Sequence, residues 1–544
     1  MFAEDIKKFF RGSILTDEKT LELYSRDYSI FEIKPQLVLY PKDSEDLKNL
    51  VNFVREKRKK RENLSLTARS AGTDMTGGPL SESIVIVFTK NFNQIKEIKD
   101  NYVRVEPGVY FRDLEKELKN KNLLYPPYPA SKEICALGGM IANNSGGEKT
   151  LFYGKTEDYV EELKVVLSDG EEYLLRPITK EELNQKIGEK GFLNEIYKKL
   201  LKLLDDNFDL IKKSKPEVSK NSAGYALWNV WDKNTFDITK LFVGAQGTLG
   251  FITEAKLKLV SQKRFRKLAV IFLRDLNGVA DLVVQILKYK PESLESYDDK
   301  TLFLALKFLP GILRLMKGNA VKLFWKFWPE VGMILKGGLP KLVMLAEFSS
   351  NDEKKLDQEV KEFKEAISRM GFRVRIAKDE ADAEKYWTIR RQSFKLLHEH
   401  TKNKEAAAFI DDVVVKPEHL PEFLPRLNQI LDKYKNYLTY TIAGHPGDGN
   451  FHIIPLMDLK KPEVRALIPK ISEEVYDLVL EYKGSFTAEH NDGLIRTPYL
   501  EKMYGPKVNK LFREVKRIFD PLNIFNPGKK VDGSLNYALE HIKK

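Results

Sequence analysis

Three glycine-rich segments constrain this chain more than any other feature of its sequence. They lie around residues 72–78, 138–147 and 244–250. Glycine adopts positive φ and lets a backbone approach a ligand closely. One glycine-rich turn is more often only a turn, but three such loops in one region favour a single extended ligand lying across them.

The spacing of apolar residues predicts an α+β fold with more than one domain. Between residues 36 and 262, strand-like QLVLYP and SIVIVF alternate with helix-like stretches such as DSEDLKNLVNFVREKRKK, which starts near Asp43 or Ser44. After residue 262, strand-like KLAVIFLRD and KLVMLAEFS alternate with helix-like VADLVVQILKY and KLDQEVKEFKEAISRM. This order predicts a second unit of the βαβ type.

Composition excludes several classes of protein. The only cysteine is Cys135, so the chain has no internal disulfide, and an iron–sulfur cluster, which needs about four thiolates, would have to lie on another chain. The net charge of +12 comes from 91 basic and 79 acidic residues that are largely interspersed. No nucleic-acid reading motif accompanies them, so we expect no nucleic-acid partner.

The start of the chain predicts its location. The segment MFAEDIKKFFRGSILTDEKT is interrupted by charges and does not look like a cleavable signal. No run of about 18 uncharged apolar residues is present. We therefore expect a cytoplasmic protein, with contact to the inner face of the membrane left open.

The first glycine-rich segment, TARSAGTDMTGGP, covers residues 67–79. It combines unhindered backbone amides with hydroxyls and a cation, which suits a pyrophosphate group. It is not a Walker loop, because no GK[ST] follows, and its glycine spacing differs from GxGxxG.

The later motifs make the assignment specific. CALGGMIANNSGGEKTLFYGKTEDYVEELKVVLSDGE and FVGAQGTLGFITEAKLKL follow in order, and the tail ends in NIFNPGKK. Over nearly its whole length the chain resembles FAD enzymes of the vanillyl-alcohol oxidase and para-cresol methylhydroxylase type, in the branch of D-lactate dehydrogenase, the glycolate oxidase flavin subunit and D-2-hydroxyglutarate dehydrogenase. The resemblance implies a two-part FAD-binding domain over residues 1–262, an α+β cap (substrate) domain over 263–497 and a C-terminal segment, 498–544, that returns to the FAD domain.

The resemblance also implies the cofactor contacts. The expected FAD-binding residues are Arg69, Ser70, Ala71, Gly72, Thr73, Asp74, Thr76, Gly77, Gly78, Pro129, Gly138, Gly139, Asn143, Ser145, Gly146, Gly247, Gly250, Ile252 and Asn526. Some relatives attach FAD through a histidine of the first loop. Residues 69–78 contain none, so we expect non-covalent FAD. Cys135 is an alternative covalent or redox residue, but a lone cysteine is more often a small buried side chain.

A candidate metal site lies in the tail half. AGHPGDGNFHIIP carries His445 and His452, and FTAEHNDGLIRTPYL carries Glu489 and His490. A turn between two histidines seven residues apart can bring both imidazoles to one point, and two imidazoles with one carboxylate suit zinc or another divalent ion. From spacing alone, histidines that cap turns or donate to carbonyl oxygens are the commoner case.

The same resemblance implies roles for these residues. The strings resemble the HxGDGNxH and EHGxG signatures of 2-hydroxy-acid dehydrogenases, in which His445, His452 and Glu489 would bind the metal and His490 would be the catalytic base. Pro446 and Asn491 depart from the usual residues. We expect His490 to be the base because an unperturbed imidazole titrates near about pH 6.5, close to neutrality.

Recognition of the substrate carboxylate is predicted for an arginine, which offers paired donors. YWTIRRQSF resembles the WxxR segment of the family and points to Arg390 rather than Arg391, although a helical arginine is often simply exposed. Where D-2-hydroxyglutarate enzymes carry a lysine for a second carboxylate, this chain reads Ile410-Asp411-Asp412, which weakens the case for a dicarboxylic substrate.

Residues 301–341 combine seven basic residues and one glutamate with many leucines and aromatics. Such a segment can bind an anionic lipid surface, contact a partner subunit, or pack inside the protein with its lysines reaching solvent.

Together these features predict FAD-dependent oxidation of a D-2-hydroxy acid such as D-lactate, glycolate or D-2-hydroxyglutarate. Electrons would pass to a quinone, a cytochrome or an iron–sulfur protein, because no nicotinamide fingerprint appears. Two alternatives stay open: a flavin oxidase of another alcohol, sugar or lactone, and a non-catalytic flavin subunit of an iron–sulfur complex.

Overall fold

A computed structural model describes residues 2–276, 278–299, 301–303, 339–400 and 404–543, and of residues 392–400 it describes the backbone. Most of the basic apolar segment 301–341 lies outside these residues. None of the described helices has the length and apolar composition needed to cross a membrane.

The first half of the chain folds as mixed helix and strand, as its alternating apolar runs predict. One sheet has the strand order Ser13–Leu15, Leu37–Tyr40, Ile84–Val87 and Leu66–Arg69. A second has the order Ile95–Ile98, Tyr102–Val105, Phe251–Lys258, Val160–Val166 and Glu172–Leu175. Two short pairs join Ile178–Thr179 to Thr235–Phe236 and Leu123–Leu124 to Val260–Ser261.

The second half is built on a larger sheet. Its strand order is Arg373–Ile376, Phe265–Leu273, Leu342–Ser350, Ser293–Asp298, Leu438–His445, Asn450–Met457 and Glu405–Ala406, with Val413–Val414 also paired to Asn450–Met457. Every pairing described in this sheet is antiparallel. The helix Val279–Leu287 therefore connects two strands that a third strand separates, a split form of the predicted βαβ order.

The helices begin and end close to the positions that the sequence predicts. Ser44–Lys59 starts after Asp43, whose side chain accepts hydrogen bonds from the amides of Glu45 and Asp46 and so caps the first turn. Within the described part of the chain the α-helices are Phe2–Lys7, Glu18–Tyr24, Ser44–Lys59, Phe111–Lys119, Leu137–Asn143, Thr150–Tyr153, Lys180–Gly188, Phe192–Asp206, Phe208–Lys213, Thr239–Phe242, Val279–Leu287, Glu353–Arg369, Glu380–His400, Leu420–Asp432, Pro462–Arg465, Leu467–Glu481, Gly493–Arg496, Leu500–Phe519 and Leu535–Glu540.

The last part of the chain contacts the first. The amide of Leu66 donates to the carbonyl oxygen of Ile524, and the amide of Asn526 donates to that of Leu66. These bonds hold the turn before NPGKK against the strand that leads into the first glycine-rich loop. The loop is therefore supported by residues more than 400 positions away in sequence.

Candidate functional site

The three glycine-rich loops line one cavity of about 800 Å³. Fifteen of the predicted cofactor residues border it, and they come from all three loops: Ser70, Ala71, Gly72, Thr73, Asp74, Gly78, Pro129, Gly138, Gly139, Asn143, Ser145, Gly146, Gly247, Gly250 and Ile252. At Gly138 a Cβ would lie 2.7 Å from the carbonyl oxygen of Pro107, so a larger residue cannot keep this backbone position. The cavity is thus walled by backbone and small side chains, which suits a long ligand.

Four predicted cofactor residues, Arg69, Thr76, Gly77 and Asn526, do not line this cavity. The guanidinium of Arg69 instead donates to the carbonyl oxygens of Tyr24 and Arg26. The side-chain amide of Asn526 donates to the carbonyl oxygens of Gly78 and Gln246, at 2.9 and 2.7 Å. Asn526 therefore joins the first and third loops rather than facing the space between them.

Asp74 organises the first loop. Its Oδ2 accepts hydrogen bonds from the amides of Thr76 and Gly78, at 2.9 and 2.8 Å, and from the hydroxyl of Thr76. Its Oδ1 accepts from the side-chain amide of Asn143, at 2.9 Å. Asp74 therefore connects the first loop to the second.

The tail motifs reach the same cavity, because His445, His452, Glu489 and His490 also line it. His445 ends one strand of a β-hairpin, and His452 lies on the next strand, opposite Ala443. Residues 443 and 445 point to one face of their strand, and directly paired residues share a face. The two imidazoles are therefore diagonal neighbours, which explains how a seven-residue spacing brings them together.

Three side-chain atoms converge at this point. The Nε2 atoms of His445 and His452 lie 3.3 Å apart, and Oε1 of Glu489 lies 3.3 Å from the first and 3.6 Å from the second. Ligands bound tetrahedrally at about 2.0–2.1 Å from a zinc ion are roughly 3.3–3.4 Å from one another. The spacing of these three atoms therefore suits a small divalent ion.

A second grouping, Asp412, His452, Glu489 and His490, also places donor atoms within 4.8 Å of one another. Both carboxylate oxygens of Asp412 already accept hydrogen bonds from the protein, however. Its Oδ2 accepts from the amides of Glu489 and His490 and from the hydroxyl of Thr487, and its Oδ1 accepts from Asn450. We therefore regard Asp412 as the residue that shapes the turn carrying Glu489, and His445 as the better third ligand.

The electrostatics of the cluster differ from the sequence-based expectation for His490. Burial disfavours its charged form, but Asp411 and Asp412 outweigh this and raise the pKa of His490 to about 10. The pKa of His490 therefore lies above the unperturbed imidazole value of about 6.5, because two buried carboxylates lie close to the ring. Nδ1 of His490 lies 2.7 Å from Oδ2 of Asp411, and the ring stacks on His452.

The other members of the cluster respond to burial and to charge. Burial opposes ionisation of Glu489, yet Lys220 and His445 hold the pKa of this carboxyl well below its usual range. Burial lowers the pKa of His452. Burial also disfavours the charged form of His445, but Glu295 raises the pKa of that imidazole.

The two arginines of YWTIRRQSF have different surroundings, and both line the cavity. Nε of Arg390 donates to Oε2 of Glu295, at 3.1 Å. Arg391 makes a two-point ion pair with Glu148, at 2.7 and 3.1 Å, and also lies 3.5 Å from Glu384. Arg391 is thus held between two carboxylates of the protein.

Asn491, one of the two departures from the family signature, has a positive φ of 70°. Glycine adopts this conformation freely, and asparagine is one of the few other residues that tolerate it. Its side-chain amide donates to the carbonyl oxygens of Gly244 and Asn143, at 2.9 and 3.2 Å. The substitution therefore links the tail motif to the second and third glycine-rich loops.

Sequence reasoning missed three residues of this cluster. Glu295 and Lys220 carry no motif, and only the structure places them against His445 and Glu489. In the sequence, Asp411 marked only the place where a lysine for a second substrate carboxylate is missing. The structure shows that its own carboxylate contacts both His452 and His490.

Comparison with known proteins agrees with this geometry. Residues 35–175 match the family model described as FAD binding domain, and residues 262–530 match the C-terminal domain of FAD linked oxidases. The chain belongs to the FAD-linked oxidase family. The first match contains the first two glycine-rich loops and the second contains the histidine cluster, so the chain has the FAD-binding domain and the C-terminal domain of this family.

Relatives within this family carry related names. The chain is 29% identical to the D-2-hydroxyglutarate dehydrogenase of Pseudomonas putida over 96% of this chain and 50% of that protein, so it spans about half the length of that relative. It is 28% identical to the glycolate oxidase subunit GlcD of Bacillus subtilis, over 92% of this chain and 89% of that one. It is 26% identical to the D-lactate dehydrogenase of Anaerostipes hadrus, over 97% and 96%.

Solved structures share the fold. The 4-ethylphenol oxidase of Gulosibacter chungangensis aligns with a TM-score of 0.68 at 15% identity, over 98% of each chain. p-Cresol methylhydroxylase aligns with a TM-score of 0.65 at 15% identity, over 95% of this chain and 94% of that one. These neighbours confirm the expected two-part FAD-binding fold with a second α+β domain.

Proposed function

We propose that this chain oxidises a D-2-hydroxy acid, such as D-lactate, glycolate or D-2-hydroxyglutarate, to the 2-keto acid with non-covalently bound FAD. The observation that carries this proposal is the meeting of two sets of residues in one cavity: the glycine-rich loops of the FAD-binding half, and His445, His452, Glu489 and His490 of the other half. The names of the relatives support the same substrate class.

The residues have separable roles in this proposal. Arg390 would bind the substrate carboxylate, since guanidinium groups pair with carboxylates in a planar geometry. His490 would take the hydroxyl proton through Nε2, because its Nδ1 faces Asp411. FAD, held by the glycine-rich loops, would supply the two-electron acceptor for the hydride from the substrate carbon.

His445, His452 and Glu489 would hold a divalent metal, with zinc as our first candidate. Two imidazoles and one carboxylate are a known zinc set with a coordination position left open. A bound ion would acidify the substrate hydroxyl, and its positive charge would also lower the pKa of His490 from about 10 toward a value useful for a base.

We propose the domain division 1–262, 263–497 and 498–544 for the FAD-binding domain, the cap and the returning tail. Electrons would leave to a quinone, a cytochrome or an iron–sulfur protein. The basic segment 301–341 would contact an anionic membrane surface.

An anaerobic titration tests the proposal. The purified yellow protein is mixed with D- and L-lactate, glycolate and D-2-hydroxyglutarate, and metal content is measured on the same sample. We expect bleaching by at least one D-hydroxy acid or by glycolate, and one divalent ion per chain. Absence of both results would favour an oxidase of another alcohol or a non-catalytic flavin subunit.

A variant separates the role of the base from that of the fold. His490→Ala is expected to keep the yellow colour and to reduce the rate of bleaching by about 100- to 10,000-fold, the range for a positioned base. His541→Ala is the matched control, because this histidine contacts Tyr537 and Glu82 near the surface. Loss of flavin from His490→Ala would mean that the residue is structural.

A further inference from the structure

We propose that Glu295 and Asp411 are positioning residues, each of which holds two functional side chains in place. Glu295 would hold the candidate metal ligand His445 and the candidate substrate arginine Arg390. Asp411 would hold the candidate metal ligand His452 and the candidate base His490. The inference rests on the proposed function and goes beyond it, because neither carboxylate belongs to the ligand set, the base or the arginine assigned above.

Glu295 lies in the strand Ser293–Asp298, beside the strand that ends at His445. Only 2% of this residue is exposed. One carboxylate oxygen contacts Nδ1 of His445, and the other accepts a hydrogen bond from Nε of Arg390, at 3.1 Å. A single buried carboxylate therefore fixes a candidate metal ligand and the candidate substrate arginine at the same time.

Asp411 repeats this arrangement on the other side of the cluster. Its side chain is fully buried. Oδ1 lies 3.2 Å from Nδ1 of His452, and Oδ2 lies 2.7 Å from Nδ1 of His490. One buried carboxyl group therefore contacts both the candidate metal ligand His452 and the candidate base His490.

These contacts select the tautomers of the histidines. A carboxylate can only accept hydrogen bonds, so a hydrogen bond between each Nδ1 and the Glu295 or Asp411 oxygen that it faces places the ring hydrogen on Nδ1. In the neutral rings of His445 and His452 the lone pair is then on Nε2, and both Nε2 atoms face Oε1 of Glu489. Partners of this kind orient metal-binding histidines, and removing one typically costs about 10- to 100-fold in metal affinity.

Glu292 shows what a buried carboxylate looks like when its contacts lie outside the candidate site. Glu292, three residues from Glu295, is also buried and pairs with Lys149 and with the hydroxyl of Ser349. It does not line the cavity that contains the histidines. Glu292 therefore provides a matched control, because it is a buried carboxylate immediately before the strand that carries Glu295 and has no contact with the candidate site.

Charge-neutral variants test the proposal. Glu295→Gln, Asp411→Asn and Glu292→Gln keep the side-chain volume, but an amide can accept at only one of its two ends, so one partner loses its bond. For each holoenzyme we would measure Zn²⁺ affinity by competition with a chelator, FAD content, and KM and kcat for whichever of D-lactate, glycolate or D-2-hydroxyglutarate bleaches the wild type.

The expected pattern differs between the two sites. Glu295→Gln should weaken Zn²⁺ binding by about 10- to 100-fold and raise KM, because the amide has no negative charge for either His445 or Arg390 and can accept from only one of them. Asp411→Asn should weaken Zn²⁺ binding similarly but lower kcat with little change in KM, because the amide has no negative charge for either His452 or His490 and can accept from only one of them. Glu292→Gln should retain the wild-type Zn²⁺ affinity, KM and kcat.

Other results would overturn the inference. Wild-type Zn²⁺ affinity, KM and kcat in folded Glu295→Gln and Asp411→Asn would do so, as would equal losses in Glu292→Gln. If one of these two variants fails to fold, the Zn²⁺ affinity, KM and kcat of the other variant test the proposal. If the wild type itself binds no Zn²⁺ and no hydroxy acid bleaches it, the proposed function fails first, and this is distinct from failure of the positioning roles alone.

Discussion

Nζ of Lys220 lies 3.3 Å from Oε2 of Glu489, while Oε1 of the same carboxylate faces the two imidazoles. Lys220 also lies 3.2 Å from Asp448 and is completely buried. The two oxygens of Glu489 thus have different partners, one a fixed cation and the other the candidate metal position. The lysine keeps the buried acid charged before any metal ion is present.

Lys220→Met should therefore destabilise the metal-free protein. Removing one partner of a buried ion pair leaves an uncompensated charge and costs about 3–5 kcal/mol. Added Zn²⁺ should raise the melting temperature more in this variant than in the wild type, because the ion supplies the missing positive charge. Thermal unfolding with and without Zn²⁺ checks both effects.

Lys416→Met is the control for that substitution, since Lys416 pairs with Glu217 at the surface, where ion pairs contribute little. Equal stability of Lys220→Met and the wild type would contradict the role assigned to Lys220.

Asp27 should give the stability of the protein a recognisable pH dependence. Burial, assisted by the nearby Asp74, raises the pKa of Asp27 to about 7, against about 3.9 in an unfolded chain. Between these values the folded protein binds a proton that the unfolded chain does not, so this group makes stability fall as pH rises from about 4 to about 7.

Asp27→Asn should flatten that slope, because asparagine keeps an oxygen for the amide of Ser29 and does not titrate. Urea unfolding midpoints measured over this pH range in both proteins give the comparison. The same slope in the variant and in the wild type would show that Asp27 is not the group responsible.

Gly493→Ala should weaken the contact between the tail and the first glycine-rich loop. A Cβ at this position would lie 2.1 Å from the hydroxyl oxygen of Thr76 and 2.3 Å from its carbonyl oxygen, and φ is +52°. Overpacking and strain of this kind typically cost about 1–3 kcal/mol. We expect a lower melting temperature and loss of FAD on dialysis.

Gly188→Ala is the matched substitution, because beyond its chain neighbours and the adjacent helix backbone no atom of the described residues lies within 4 Å of the added Cβ, at the end of the helix Lys180–Gly188. It should retain FAD and the wild-type melting temperature. Full FAD retention and unchanged melting in Gly493→Ala would show that the first loop adjusts without cost.

Cys135 should be chemically inert in the folded protein. Burial raises the pKa of its thiol to about 12, so almost no thiolate is present at neutral pH, and the thiolate is the reactive form. A disulfide reagent such as DTNB should titrate no thiol in the native protein and one thiol per chain in urea. Rapid reaction of the native protein would contradict this and would reopen a redox role for Cys135.

Much of the fold could be predicted from local patterns. The run KLVMLAEFS forms the strand Leu342–Ser350, and the periodic stretch KLDQEVKEFKEAISRM lies in the helix Glu353–Arg369. Apolar periodicity identifies such elements because it records which face of each is buried. The spacing of the three glycine-rich loops likewise indicated one long ligand, since glycine marks where a backbone must come close to something.

The candidate site was only partly predictable. His445 and His452 are seven residues apart, and the turn between them let the sequence place them together. The pairing of His445 with Glu295 spans 150 residues, and that of Lys220 with Glu489 spans 269. The chain has 79 acidic residues, and nothing local distinguishes the one that will face an imidazole.

The sequence by itself determined the cofactor class, the order of the loops and the residues able to bind a metal or move a proton, because these depend on residue type and short spacing. Only the tertiary structure decided which buried charges surround those residues. That distinction matters physically, since a pKa depends on distances through space and on burial: the same histidine that would titrate near 6.5 alone is held near 10 by two aspartates.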